Sequence, residues 1–491
     1  MADYILGIDQ STQGTKVMLF DAQGRMTLRV DKPHTQHVDA RGYVEHDPEE
    51  IYANLIALVK RLVAESGVRA ADIRAVGISN QRETALAWDR SGKPLYNAIV
   101  WQCARGAAIC DRIAQQGHAD MLRRRTGLRL SPYFSAAKLA WIMENVHGVK
   151  AAARRGEVLC GTMDSYLVHR LTGGREFRTD YSNASRTQLF NIAALRWDED
   201  LLALFGIPRC CMAQLTDSDG VFGHTDFEGV LPVKIPIHGV LGDSHGALLG
   251  QGCLERGMMK TTYGTGSSIM MNIGDAPIFS ERGIVTSLAW KLRGRVQYVL
   301  EGNVNYTGAI ISWLKNDLGL LTSAGESETV ARQANPQDQT CLVPAFSGLG
   351  APYWRSDVSA AFVGMSRTTG RAELVKAGLE AIAYQITEIV RLMQQEAAVE
   401  QVDLRVDGGP TRNRWLMQFQ SDMLSSPVMV SATEELSAMG AAYAAGLGAG
   451  LYTEDVFTRS RYERFAPAMA EDLRNRKYDG WRAAVRTILS T

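Results

Sequence analysis

GIDQSTQGTKVMLF, residues 7–20, has a distant counterpart in TTYGTGSSIMMNIG, residues 261–274, and that pairing decides how the chain is read. In the first stretch an apolar run from residue 4 reaches Asp9, breaks into Ser11, Thr12, Gln13, Gly14 and Thr15, and resumes at Val17. This is the pattern of a β-hairpin. Small turn residues let backbone amides approach an anion, and successive turn amides form a concavity that the Thr12 and Thr15 hydroxyls can supplement. Such a turn suits phosphate. Asp9, at the strand end beside it, suits the water shell of a phosphate-bound Mg²⁺, which takes hard oxygen ligands and stays partly hydrated. The second stretch repeats the arrangement with Gly264, Thr265 and Gly266. Either turn alone also reads as an ordinary hairpin. Together they predict a duplicated phosphate-binding unit.

Composition bounds the rest. A chain of 491 residues is expected to form two or three domains. Lys plus Arg and Asp plus Glu both number 53, so no basic excess points to nucleic acid or an anionic membrane. Asp3 and Asp9 interrupt the first apolar run and no basic region precedes it, which does not read as a signal peptide. No apolar run approaches membrane-spanning length. These features predict a soluble, cytoplasmic protein. The seven cysteines form an odd set without a C-x-x-C pair or a zinc spacing, and are expected to be buried free thiols.

Strand and helix signals alternate throughout. A helix is predicted over 48–66, with Asp47 as N-cap and Pro48 in its first turn. A strand over 73–78 runs into Asn80, Gln81, Arg82 and Glu83. Another, over 234–241, ends at Gly242 and Asp243 before an apolar helix over 247–254. The hairpin theme restarts at Met259, which puts a domain boundary near 245–258 and divides the chain into 1–247 and 248–491. The later half closes with VDLRVDGG and a helix from about residue 413 to 424. The expected architecture is an α/β fold of two duplicated domains with a cleft between them.

Asp243 is the leading candidate for chemistry. At the carboxyl end of an apolar strand its side chain would face the cleft, where a carboxylate can take a hydroxyl proton as that oxygen attacks phosphorus in line. The competing reading is a helix cap. Arg82 and Glu83 also follow a strand end; a fork of donors beside an acceptor can hold polyol hydroxyls, although a surface ion pair has the same sequence. Trp101 and Tyr133 offer apolar surface for the C–H face of such a ligand. Gly409 lets a nucleotide approach the backbone, with Asn413 as an amide partner. Trp415 and Phe419 read as packing residues.

DQSTQGTK (9–16), GISNQRETALAWD (77–89), YNAIVWQC (96–103), DYSNASRTQLFNI (180–192), GDSHGALLGQG (242–252), TYGTGS (262–267), PAFSGLGAPYW (344–354) and DGGPTRN (407–413) occur in the order found in FGGY carbohydrate kinases. The resemblance covers nearly the entire chain and is strongest to the glycerol kinase branch; YFSAAKLAW (133–141) resembles a further family signature. It implies two actin-like (ribonuclease H-like) domains, ATP with Mg²⁺ in the cleft, phosphoryl transfer to a small-molecule sugar or polyol, and allows a homodimer. Position by position, it implies that Asp9 is the magnesium-associated acid and that Thr12, Gln13 and Gly14 form the first phosphate loop. Thr265, Gly308, Gly409 and Asn413 would contact the nucleotide, and Asp243 would be the base. Arg82, Glu83, Trp101 and Tyr133 would form the acceptor pocket. Lys16 stands where glycerol kinases usually have Arg, and Ser312 where they commonly have Gln near the nucleotide. Ser244 replaces a hydroxyl-binding Gln and Ser268 a Phe that packs on the glycerol carbons. The EGNVNYTG segment (301–308) is also more polar than its usual counterpart. These departures predict an acceptor larger than glycerol, a ketose or alditol of four or more carbons. The alternatives are a glycerol kinase with a substituted pocket and a non-catalytic sugar sensor on the same fold.

Overall fold

A computed structural model describes residues 3–490. The Tyr4–Gln10 and Gly14–Phe20 strands form the predicted hairpin and set Asp9 opposite Lys16. Tyr4–Gln10 also pairs in parallel with Ile73–Asn80, bringing Ser79 beside Asp9. The first sheet runs in the order Gly223–Thr225, Ile235–Gly242, Ile73–Asn80, Tyr4–Gln10, Gly14–Phe20, Met26–Pro33. Its central strands are buried on both faces, so both must be covered. Helix Pro48–Ser66 covers one through Ile51, Leu55, Leu58, Val59 and Leu62. That helix keeps its predicted bounds: the Asp47 carboxylate accepts from the Glu49 amide, and Gly67 ends it in the left-handed region at φ 65°.

The other face is covered by Asp243–Gly250 and Leu436–Gly448. Leu436–Gly448 comes late in the chain, yet it lies on the first sheet. It sits so close that a Cβ at Gly77 or Gly239 would overlap the Ala441 carbonyl oxygen.

The second sheet repeats the first. Met258–Tyr263 and Ser267–Gly274 form a hairpin, and Met258–Tyr263 pairs in parallel with Asp403–Asp407. Its order is Val285–Leu292, Arg295–Val304, Ser267–Gly274, Met258–Tyr263, Asp403–Asp407, Val428–Ser431, Tyr462–Phe465. In each sheet a hairpin joins a parallel strand, then a second parallel strand, then an antiparallel edge strand. The second sheet adds one strand beyond the hairpin side. The α/β, two-domain fold class is therefore as expected.

Three expectations need correction. The apolar helix spans Asp243–Gly250 rather than 247–254, because extended Gly242 serves as its N-cap and Asp243 is its first helical residue. Asn413 caps the Arg414–Leu424 helix instead of opening it, its side chain accepting from the Leu416 amide. The thiols are free, but Cys210 is exposed and Cys341 only partly covered. Among the described residues, no helix is long and apolar enough to cross a membrane.

Candidate functional site

The parallel strands bring their carboxyl ends together at one edge, and the candidate residues gather there. Asp9 is buried and accepts from the Ser79 hydroxyl at 3.0 Å. Burial pushes its carboxyl up to about 6, Lys16 opposes the shift and neighbouring Asp243 adds to it. Lys16 Nζ lies 3.8 Å from Asp9 but 2.8 Å from Glu435 Oε2, and Arg29 holds the other oxygen of Glu435. The expected phosphate-facing cation is thus also tied to the base of helix Leu436–Gly448. The second unit mirrors this arrangement: Thr262 donates to Asp407 Oδ1 at 2.9 Å, and burial pushes Asp407 up to about 6. In one unit the acid lies on the hairpin strand, in the other on the parallel strand.

A buried ion network organises the next group. Both guanidinium nitrogens of Arg82 donate to Glu301, at 2.8 and 2.9 Å, and Arg82 Nε lies 3.1 Å from Asp243 Oδ1. Arg186 bridges Glu83 (2.6 Å) and Glu301 (2.8 Å). All four members other than Asp243 are buried. Burial alone would raise the Glu301 carboxyl, but Arg186 and Arg82 outweigh it and hold it far below the ordinary carboxylate range. The surface ion-pair reading of Arg82 and Glu83 is therefore excluded. Glu83 sits in the left-handed region at φ 58°, a strained backbone for a side chain of its kind, which turns the chain between the strand and the pocket.

Asp243 is the open member of this cluster, with its side chain 35% exposed. Its Oδ1 accepts from the Ser244 amide at 2.6 Å and forms an ion pair with Arg82. Oδ2 has no partner among the described residues. The neighbouring His245 is fully buried and held neutral by that burial, so it fits a structural role.

Trp101 and Tyr133 meet edge to face, with ring centroids 5.5 Å apart. Trp101 Nε1 donates to Thr12 Oγ1 at 2.9 Å, which joins the acceptor wall to the first phosphate turn directly. Tyr133 is held by Lys138, whose ammonium donates to the carbonyls of Pro132 (2.7 Å), Tyr133 (2.5 Å) and Phe134 (3.2 Å). On the facing side, Ser268 Oγ lies 3.4 Å from Ser244 Oγ.

The nucleotide-side candidates fall into two sets. Thr265 is exposed at its turn, and its carbonyl accepts from the Thr307 and Ala309 amides, so the turn packs against the start of helix Gly308–Asn316. A Cβ at Gly308 would crowd the Gly264 carbonyl. Gly409 faces open space, and Ser312 and Gln13 are exposed. Asn413 also caps the following helix: its Oδ1 accepts from the Leu416 amide and its Nδ2 donates to Ser327 Oγ, which leaves one amide proton and one oxygen lone pair for a nucleotide.

Asp9 fits a hydrated magnesium ion. It is a buried carboxyl whose unfavourable setting a dication would relieve, while no cluster of three or more His, Cys, Asp or Glu among the described residues forms a cage. One carboxylate with water and phosphate completing the shell is how Mg²⁺ is commonly held.

Glu301, Arg186, Lys260 and Asp407 were not singled out from the sequence. Each lies inside a quoted motif or beside one. The importance of Glu301, Arg186 and Asp407 arises from contacts across 100 residues or more, 219 between Arg82 and Glu301, 103 between Glu83 and Arg186 and 145 between Thr262 and Asp407, whereas Lys260 bonds within its own hairpin. The only local signal was a charge set in an apolar strand, as in YVLEGNV.

Comparison with known proteins gives the family. Residues 4–250 and 259–449 match the N-terminal and C-terminal domains of the FGGY family of carbohydrate kinases. The chain is 48% identical to glycerol kinase 1 of Thermotoga maritima over 99% of its own length and all of that protein. It is 44% identical to glycerol kinase of Carboxydothermus hydrogenoformans, covering 98% of this chain and 97% of that one. The crystal structure of Plasmodium falciparum glycerol kinase with ADP superposes with a TM-score of 0.94 at 34% identity, over 99% and 98% of the two chains. Xylulose kinase from Rhodospirillum rubrum shares the fold, with a TM-score of 0.89 at 23% identity over 99% of each chain.

Proposed function

The chain belongs to the FGGY family of carbohydrate kinases, and we propose that it transfers the γ-phosphate of ATP to a hydroxyl of a short polyol, with glycerol as the first candidate. The observation that carries this is the open Asp243 carboxylate, paired through Oδ1 with Arg82 at 3.1 Å and close enough to Asp9 of the first hairpin and Lys260 of the second to act on both electrostatically. Glycerol is favoured over the larger acceptor expected from the sequence because whole-length relatives at 40–48% identity are glycerol kinases. A second reading, a ketose or alditol of four or more carbons, is supported by the small polar pair Ser244 and Ser268, which leaves room where a bulkier wall would close the pocket.

The residues support the following course. Arg82 and Glu83 grip acceptor hydroxyls while Trp101 and Tyr133 cover its C–H face. The reacting hydroxyl lies against Asp243 Oδ2, which takes its proton as the oxygen attacks the γ-phosphorus and the bond to the β-phosphate oxygen breaks. Lys16, Thr12 and Thr265 line the phosphates from both turns. Mg²⁺ at Asp9 would offset phosphate charge. Lobe closure excludes water, the competing nucleophile.

A coupled ADP-release assay over glycerol, tetroses, pentuloses, alditols and sugar acids tests the reading. Highest kcat/KM with glycerol supports the first form and a higher value with a longer acceptor supports the second. No acceptor-dependent ADP release contradicts both.

A further inference from the structure

Lys260, on the Met258–Tyr263 strand, is a fully buried lysine with no carboxylate within ion-pair distance among the described residues. Its ammonium instead reaches two hydroxyls, Thr262 Oγ1 at 3.2 Å and Ser268 Oγ at 3.4 Å. An ammonium only donates. Both hydroxyls therefore accept from Lys260 and must send their own protons onward. Thr262 sends its proton to Asp407 Oδ1 at 2.9 Å. Ser268 has Ser244 Oγ as its next oxygen, at 3.4 Å.

Ser244 is the end of that second branch. Its backbone amide is taken by Asp243 Oδ1 at 2.6 Å. Its hydroxyl oxygen receives the Ser268 proton, so its own O–H is left to give. Both Ser244 and Ser268 are only half-buried and lie where the acceptor would sit beside Asp243. The lysine thus fixes the direction of every bond in the branch and turns the pocket wall into a donor.

We propose that Lys260 is a positioning residue for acceptor choice: through Ser268 it orients Ser244 as a hydrogen-bond donor, which raises the site's acceptance of an acceptor with a carbonyl next to its reacting hydroxymethyl group relative to the corresponding alditol. A carbonyl oxygen only accepts and meets this wall without further demand. An alcohol oxygen at the same place must also find a partner for its own proton, and a polar group left unmatched in a closed site lowers binding. The proposal rests on the kinase reading above and concerns which short acceptor the site prefers.

The test compares kcat/KM for dihydroxyacetone against glycerol and for erythrulose against erythritol, in the wild type, Lys260→Met and Ser268→Ala. Each ketone-to-alditol ratio is expected to fall about tenfold from the wild type to both variants, the scale of one well-placed hydrogen bond. A merely structural role for Lys260 would lower activity toward all four compounds and leave the ratio unchanged. Ser268→Ala keeps the test open should Lys260→Met fail to fold, which thermal melting reports. Dissociation constants for the same four compounds are measured by calorimetry on Asp243→Asn, alone and combined with Ser268→Ala. A ratio that both variants preserve or raise overturns the proposal. The expected fall in the binding ratio without phosphoryl transfer by the wild type overturns the kinase reading while sustaining the wall's assignment.

Discussion

At the residue scale, the candidate site depends on one carboxylate that is itself buried. Glu301 neutralises Arg82 and Arg186 together, and through them it fixes Asp243 and Glu83. Replacing Glu301 by Gln leaves two buried guanidinium groups without their shared anion, a loss of about 3–5 kcal/mol by comparison with other broken buried pairs. Thermal melting is expected to fall accordingly, and kcat with it. The effect has a pH signature. Glu301 is lowered from its ordinary 4.5, so its contribution is complete above that value and is lost only as acid carries the pH down through the much lower folded value. The melting-temperature gap between wild type and Glu301→Gln is therefore expected to hold steady from neutral pH down to about 4.5 and to narrow below it. A gap that vanishes by pH 5 contradicts the network. Sequence reading finds Arg82, Glu83 and Asp243 because strand ends mark clefts, but the only local sign of the partner that anchors them is one charge in an apolar strand.

At the scale of elements, two contacts between helices and loops hold the site in place. Gly440 lies against Asp243–Gly250, and a Cβ there would overlap the Gly246 carbonyl oxygen, which backbone cannot evade cheaply. Gly440→Ala is expected to cost about 1–3 kcal/mol of stability and to reduce kcat, since the displaced helix carries Asp243 at its first position. Unchanged melting and turnover would refute this packing. Lys138 plays the corresponding part for the acceptor wall. It satisfies three carbonyls around Tyr133, although burial pulls its amine down to about 7. Lys138→Met is expected to raise acceptor KM several-fold with ATP KM unchanged, and equal changes in both would argue against a local role. Capping signals locate the first long helix correctly: Asp47 and Pro48 mark its start. Asp243–Gly250 was misplaced by four residues because Gly242 is not an expected cap, and nothing in LSAMGAAYAAGLG says which sheet it will cover.

At the scale of the whole molecule, the duplicated hairpins make one cleft from two sheets. Each presents a small-residue turn beside a buried acid paired with a hydroxyl, Asp9 with Ser79 and Asp407 with Thr262. The duplication was legible because both turns use the same residues. The cross-chain wiring, in which Trp101 bonds Thr12 and Lys16 bonds Glu435, was not, because it depends on how the elements pack. On the proposed reading, phosphate moves from ATP to a polyol hydroxyl with Asp243 as base. The most direct measurement is ³¹P NMR of reactions containing ATP, Mg²⁺ and glycerol or a longer polyol, run with wild type and Asp243→Asn. The account predicts a new phosphomonoester signal growing in step with ADP for the wild type. For Asp243→Asn it predicts a rate at least about a hundredfold lower, with ATP binding retained. ADP accompanied only by inorganic phosphate, or an Asp243→Asn variant that forms the ester at the wild-type rate, would contradict it.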